Sequence, residues 1–224
     1  MTAAASAIGL LAAWIPGVPL LWLLVFRRRF DWNAEIAWAA ILLGACAGIP
    51  PATAILLLQP ALGAIGDPTG QAIALGAAAG LFEEAAKLFV LAVMIARHET
   101  FARADARALG AAVGLGFGLL ENFLYVIATG DWPLIAGMRA ITAVPLHAVI
   151  GLVMGHFVAR ASAAPARGRW LAGALLVPAL LHGGYDAAVM AWRDRPGVAG
   201  LAIGLAFLTA LIAYAICRRD DAVA

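Results

Sequence analysis

Charge is scarce in this sequence. Asp, Glu, Lys and Arg make up 12% of its 224 residues, against 64% apolar residues and a mean hydropathy of +0.95, and soluble domains carry about twice that share of charge. A water-exposed globular domain is excluded, and so is a disordered chain, which requires low hydrophobicity. With 15 basic and 13 acidic residues the net charge is only +2, so there is no basic face for nucleic acid. Cysteine is short as well. Cys46 and Cys217 lie far apart in apolar stretches; they supply neither a disulfide framework nor a cysteine metal cluster and read as packed free thiols. Internal repeats, low-complexity linkers and a local HExxH sequence are all missing.

What remains is an all-α, polytopic membrane bundle. A spanning helix needs about 20 apolar residues, and that ruler finds about seven: roughly 3 to 26, 34 to 59, 71 to 96, 107 to 129, 134 to 159, 170 to 192 and 198 to 217. The first lacks a basic start and is followed by Arg27, Arg28 and Arg29, so it reads as a retained helix rather than a cleaved signal. Residues 1 to 224 thus form a single integral membrane domain. Cytoplasmic flanks hold more Lys and Arg than outer ones. With the N-terminus outside and the C-terminus cytoplasmic, eleven arginines (27, 28, 29, 97, 103, 107, 160, 167, 169, 218 and 219) face the cytoplasm and two, Arg193 and Arg195, face out. The tryptophans, among them Trp14, Trp132 and Trp170, cluster near span ends and read as interfacial anchors.

The two other basic residues, Lys87 and Arg139, fall inside predicted spans with Glu83, Glu84, Glu121 and Asp186. On insertion scales a charge at the bilayer centre costs about 2.5 to 3.5 kcal/mol, so six cost roughly 15 kcal/mol before pairing. A domain's whole stability is about 5 to 15 kcal/mol, so charges at this cost point to function rather than packing. Depth agrees. Glu83 and Glu84 lie at the middle of the third span, His147 of the fifth and His182 of the sixth, and Glu121 is only about 4 to 5 Å from the middle of the fourth at 1.5 Å per residue. The active site is therefore expected at mid-membrane among spans three to six. Arg139 and Asp186 lie nearer the outer surface, which suggests water entry from that side. His156 and His98 read as surface or interface residues.

Helical spacing shows which groups cooperate. Lys87 points between Glu83 and Glu84, one turn on, so it can hold one carboxylate ionised while the other reaches a cavity. His182 and Asp186, four apart, share a face, as do Phe117 and Glu121, with Asn122 beside Glu121. Gly76 and Gly80, Gly110, Gly114 and Gly118, and Gly151 and Gly155 form stripes at four-residue spacing. Such stripes admit close helix contact, and they predict that spans three, four and five form the tight centre.

Four ordered motifs carry a family resemblance: Glu83-Glu84-Ala85-Ala86-Lys87 (EExxK), Phe117-Gly118-Leu119-Leu120-Glu121-Asn122 (FGxxEN), His147-Ala148-Val149-Ile150-Gly151 (HxxxG) and His182-Gly183-Gly184-Tyr185-Asp186 (HxxxD). Over roughly residues 71 to 192 the chain resembles the PrsW family of intramembrane proteases, within a wider group that includes CAAX prenyl proteases and bacteriocin-processing enzymes. That group carries histidine where this chain has Glu121. The resemblance implies catalytic positions at Glu83, Glu84, His147 and His182, with Lys87, Glu121, Asn122 and Asp186 completing the site. It also implies a membrane-associated substrate, such as an anti-sigma factor or other single-span protein cut on its outer side in regulated proteolysis, and a bacterial-type plasma membrane.

Two chemistries fit these atoms. In one, Glu121, His147 and His182 bind Zn²⁺ with an open position for water, and Glu83 or Glu84 is the general base. In the other no metal is needed: a buried glutamate activates water and histidine stabilises the oxyanion. A proton- or ion-coupled transporter would also place Glu, Lys and His at the midplane; such folds commonly show repeated halves, and none is visible here.

Overall fold

The computed structural model describes residues 34 to 97, 103 to 128, 137 to 139, 141 to 163, 165 to 192 and 199 to 221. The expected first span, Arg27 to Arg29, His98, Trp132, Arg193 and Arg195 lie outside the described residues. Those described form helices and no strands: α1 (Ala34–Cys46), α2 (Ile49–Gly63), α3 (Pro68–Arg97), α4 (Arg103–Ala128), α5 (Ala143–Ala163), α6 (Arg167–Trp192) and α7 (Ala199–Asp221).

Among the described residues, four stretches are long and apolar enough to cross a membrane: Ala34–Gly63, Ala106–Ala128, Gly137–Ser162 and Arg167–Ala191. The 30 residues of α3 extend about 45 Å at 1.5 Å each, more than the about 30 Å hydrocarbon core. It departs from the apolar pattern through composition, because Glu83, Glu84 and Lys87 occupy its middle. In α7 the apolar part is shorter, Gly200–Ile212. The stretch expected as one helix over 34 to 59 is interrupted at Ala47 and Gly48, where Pro50 and Pro51 lack the N–H donors an uninterrupted helix would use. Backbone bonds from Ala47 N to Leu43 O and from Ala52 N to Gly48 O carry the chain across the break. A similar break precedes α5, where the Thr142 hydroxyl donates to Met138 O at 2.7 Å.

The helices pair through their glycines. α4 packs chiefly on α5, and α3 chiefly on α6. A side chain added at Gly110 would strike Gly151 O, one at Gly114 would strike His147 O, and one at Gly155 would strike Ala106 O. In the other pair Gly76 faces Gly183 O and Gly80 faces Ala179 O. This corrects the expectation that spans three, four and five form one tight centre. The complement to the Gly76 stripe is Gly183, inside the HxxxD motif, so α3 joins α6 and touches α5 little. On the outside of α4, Gly116 meets Ile41 O of α1, and Gly44 of α1 meets Val113 O of α4. Apolar side chains seal one side of this arrangement, with Leu91, Met94, Leu109, Val113 and Met154 in a shared core.

Replacing Gly110 with Leu should therefore force α4 from α5 and cost about 1 to 3 kcal/mol or more, read as a lower thermal midpoint in detergent. Gly204→Leu, at a position with nothing within 4 Å, should leave the midpoint unchanged. Equal midpoints for both variants would contradict the glycine-contact account.

Candidate active site

Each helix pair contributes half of one polar cluster. α3 presents Glu83, Glu84 and Lys87, all buried, and α6 presents buried His182 one turn before Asp186; across from them α4 presents Phe117, Glu121 and Asn122, and α5 presents His147. The close approaches bring these side chains together. Gly118 in particular lies against the His147 ring, where a Cβ would come within 2.8 Å of Cδ2.

Lys87 is the centre of the cluster and has no exposed surface. Its Nζ donates to Glu84 Oε1 at 2.6 Å and to His147 Nδ1 at 2.9 Å, and it lies 4.2 Å from the centre of the Phe117 ring. An ammonium has donors only, so Nδ1 of His147 must accept. The ring proton then sits on Nε2 and is donated to Glu121 Oε2 at 2.6 Å. Glu84 acts on the other histidine, because its Oε1 accepts from His182 Nδ1 at 2.7 Å. That leaves His182 Nε2 facing Asp186 Oδ2 at 3.4 Å and Glu83 Oε2 at 3.7 Å. The two imidazoles meet edge to face at 4.8 Å.

Glu121 is held from both sides. Arg139, just before α5, places Nη2 2.7 Å from Glu121 Oε2 and stacks its guanidinium 3.9 Å from the centre of the Tyr125 ring. Arg139 is the cluster member that the motif pattern leaves out. Its signal in the sequence was an arginine within an apolar stretch, which demands a partner at membrane depth. Phe117, under both Lys87 and His147, carried only the weaker signal of sharing a face with Glu121.

The donors that converge differ by one residue from the set Glu121, His147 and His182. Ligand atoms of Glu83, His147 and His182 lie within 4.8 Å of one another. Glu121 Oε2 is already occupied by Arg139 and His147, whereas Glu83 Oε2 is buried and makes no hydrogen bond. A buried carboxylate oxygen without a partner is costly, and a cation or a water at this point would satisfy it. Two imidazoles and one carboxylate also suit Zn²⁺ as a donor set. Burial falls off toward one side: Glu84 and Lys87 have no exposed side-chain area, while Glu121, Arg139 and Asp186 retain 17%, 17% and 19%.

Comparison with known proteins places this geometry in context. The profile of the PrsW family, described as intramembrane metalloproteases, matches residues 33–216. Similar proteins named Protease PrsW include that of Bacillus subtilis (strain 168), 44% identical over 110 residues, or 48% of this chain and 50% of the relative. That of Halalkalibacterium halodurans is 37% identical over 118 residues, 52% and 54% of the two chains. That of Geobacillus kaustophilus is 33% identical over 187 residues, 81% and 79%. The chain spans about half the length of the first two relatives. No solved structure matches it.

Removing the ammonium while leaving its carboxylate should be severe. Lys87→Met strands the Glu84 charge, a defect of about 3 to 5 kcal/mol for a buried pair. Lys87→Met combined with Glu84→Gln should recover much of that loss, and denaturant midpoints of the two single variants and the double variant would show it. Strict additivity would mean that Lys87 and Glu84 do not act as a pair.

Proposed function

The chain belongs to the PrsW family of intramembrane metalloproteases, and on that basis we propose that it hydrolyses a peptide bond in a membrane-associated protein, using water activated at Glu83. The observation that carries this reading is the buried Glu83 Oε2, without a hydrogen bond and facing two histidines held by other residues. A general base must have an oxygen free to receive the proton, and it gains catalytic force from fixed neighbours.

The neighbours have separate tasks. Glu84 orients His182 through Nδ1, the arrangement by which carboxylates fix the ring and tautomer of metal-binding histidines. Lys87 fixes Glu84 and His147, and the Arg139–Glu121 pair fixes the opposite edge of His147 as long as no ion occupies Nε2. Asn122, fully buried beside Glu121, lies where the FGxxEN motif ends. Asp186 meets His182 at the more exposed side of the cluster. Glu83, His147 and His182 would hold Zn²⁺: their ligand atoms converge, and Glu83 Oε2 is buried without a hydrogen bond. His147 Nε2 would give up its proton and exchange Glu121 for the ion while Nδ1 stays on Lys87. When bound, such an ion supplies Lewis acidity toward the scissile carbonyl and lowers the pKa of its water. The carboxylate of Glu83 has two oxygens and about four lone-pair sites, enough to face both an ion and the attacking water.

Partial exposure of Glu121, Arg139 and Asp186 supports an entrance on their side. With the arginine distribution, that entrance opens outward and the N-terminus lies outside. A single-span substrate of the anti-sigma-factor kind would enter by unwinding near its outer end, since a helix keeps its carbonyls in internal hydrogen bonds.

Glu83→Gln should lower peptidase turnover by about 10² to 10⁴ without unfolding the protein; wild-type turnover in this variant would refute the assignment. Elemental analysis should find about one zinc per chain in wild type, loss in His147→Ala, His182→Ala and Glu83→Gln, and retention in Glu121→Gln. Zinc lost from Glu121→Gln and kept in Glu83→Gln would restore the Glu121 set. For the entrance, Gly137→Cys in a chain lacking Cys46 and Cys217 should react with an impermeant thiol reagent added outside, whereas reaction from the cytoplasmic face alone would reverse the orientation.

A further inference from the structure

Away from the polar cluster, α3, α5 and α6 line a half-open apolar slot of about 450 Å³, bordered by Leu88, Ala92 and Ala96 of α3, Val158 of α5, and Leu171 and Arg167 of α6. We infer that this slot is a binding site for one acyl chain of an anionic phospholipid, with the lipid phosphate at Arg167.

Length is the first argument. The α3 lining runs from Ala85 to Ala96, about 16 Å at 1.5 Å per residue, which matches half of the about 30 Å hydrocarbon core. The slot is thus as deep as one leaflet. Width is the second. Spread over that length, 450 Å³ gives a mean cross-section of about 27 Å², narrow and elongated like a single hydrocarbon chain.

Charge complementarity selects the headgroup. Arg167 and Ser162 lie at one end of the slot. Two more arginines gather at the same end of α5 and α6, the Arg160 guanidinium 6.0 Å and that of Arg169 5.2 Å from the centre of the Trp170 ring. Tryptophan at a helix end marks headgroup depth. No Asp or Glu occurs between residues 132 and 185, so neither α5 nor the first part of α6 carries an acid to neutralise these arginines. Basic pockets between membrane helices take up anionic headgroups in this way. The site shares no lining residue with the Glu83 cluster, so it stands or falls independently of the peptidase reading.

Native mass spectrometry of the full chain, released from mixed micelles containing equal phosphatidylglycerol and phosphatidylcholine, tests the site. Wild type should retain phosphatidylglycerol over phosphatidylcholine by about fivefold, the effect of roughly one arginine near a charged surface. Arg167→Gln should abolish the preference, Arg167→Lys should keep most of it, and Leu88→Trp, filling the slot, should lower retention of both lipids. Equal retention by wild type, or a preference unchanged in Arg167→Gln, would overturn the proposal. So would a photo-crosslinker at position 92 that captures polypeptide instead of lipid.

Discussion

The hydrogen bond from Lys87 to Glu84 is the contact on which the rest of the site depends. Both side chains have no exposed area and meet at 2.6 Å, so each removes the other's cost of burial, and each also bonds a histidine from another helix, Lys87 to His147 and Glu84 Oε1 to His182. Because an ammonium only donates and a carboxylate only accepts, the pair also dictates which ring nitrogens carry protons: Nε2 in His147 and Nδ1 in His182. One ion pair thereby orients both imidazoles. Glu83, the immediate neighbour of Glu84 on the same helix, is left with an oxygen that none of these partners takes.

This arrangement requires helices to approach more closely than ordinary side chains permit. Glycines at 76, 80, 110, 114, 151, 155 and 183 place backbone against backbone in the α3·α6 and α4·α5 pairs, and Gly118 admits the ring of His147 itself. In a bilayer, apolar side chains gain little by leaving lipid for protein, and association rests on close packing and polar contacts. The glycine stripes and the buried polar cluster are therefore coupled: without close contact the charges could not meet, and without their meeting the insertion cost of six charges would not be offset.

Much of this was legible in the sequence, and for a physical reason. Charges at membrane depth are costly enough that Glu83, Glu84, Lys87, Glu121 and Arg139 stand out against an apolar background, and counting residues along each span predicted that the three glutamates share a level with His147 and His182, with Arg139 nearer the outer surface. Pair relations within one helix, Lys87 with Glu84 and His182 with Asp186, followed from the helical repeat. Relations between helices did not. Spacing cannot say which stripe faces which, so the pairing of α3 with α6 through Gly183 differed from the expected centre. For the same reason the sequence could not tell that Arg139 would pair with Glu121, or that Glu83 Oε2 would be left without a hydrogen bond beside two histidines. The break at Ala47 and Gly48 was signalled by Pro50 and Pro51, but a ruler of apolar length passes over such punctuation.

The central claim is that Glu83, His147 and His182 form one metal-and-water centre held in place by Lys87 and Glu84. X-ray absorption at the zinc edge of active, purified protein tests it most directly. The account predicts two imidazole nitrogens at about 2.0 to 2.1 Å and carboxylate or water oxygen at about 2.0 to 2.2 Å. A first shell without imidazole, or fully active protein with no bound metal, would contradict it.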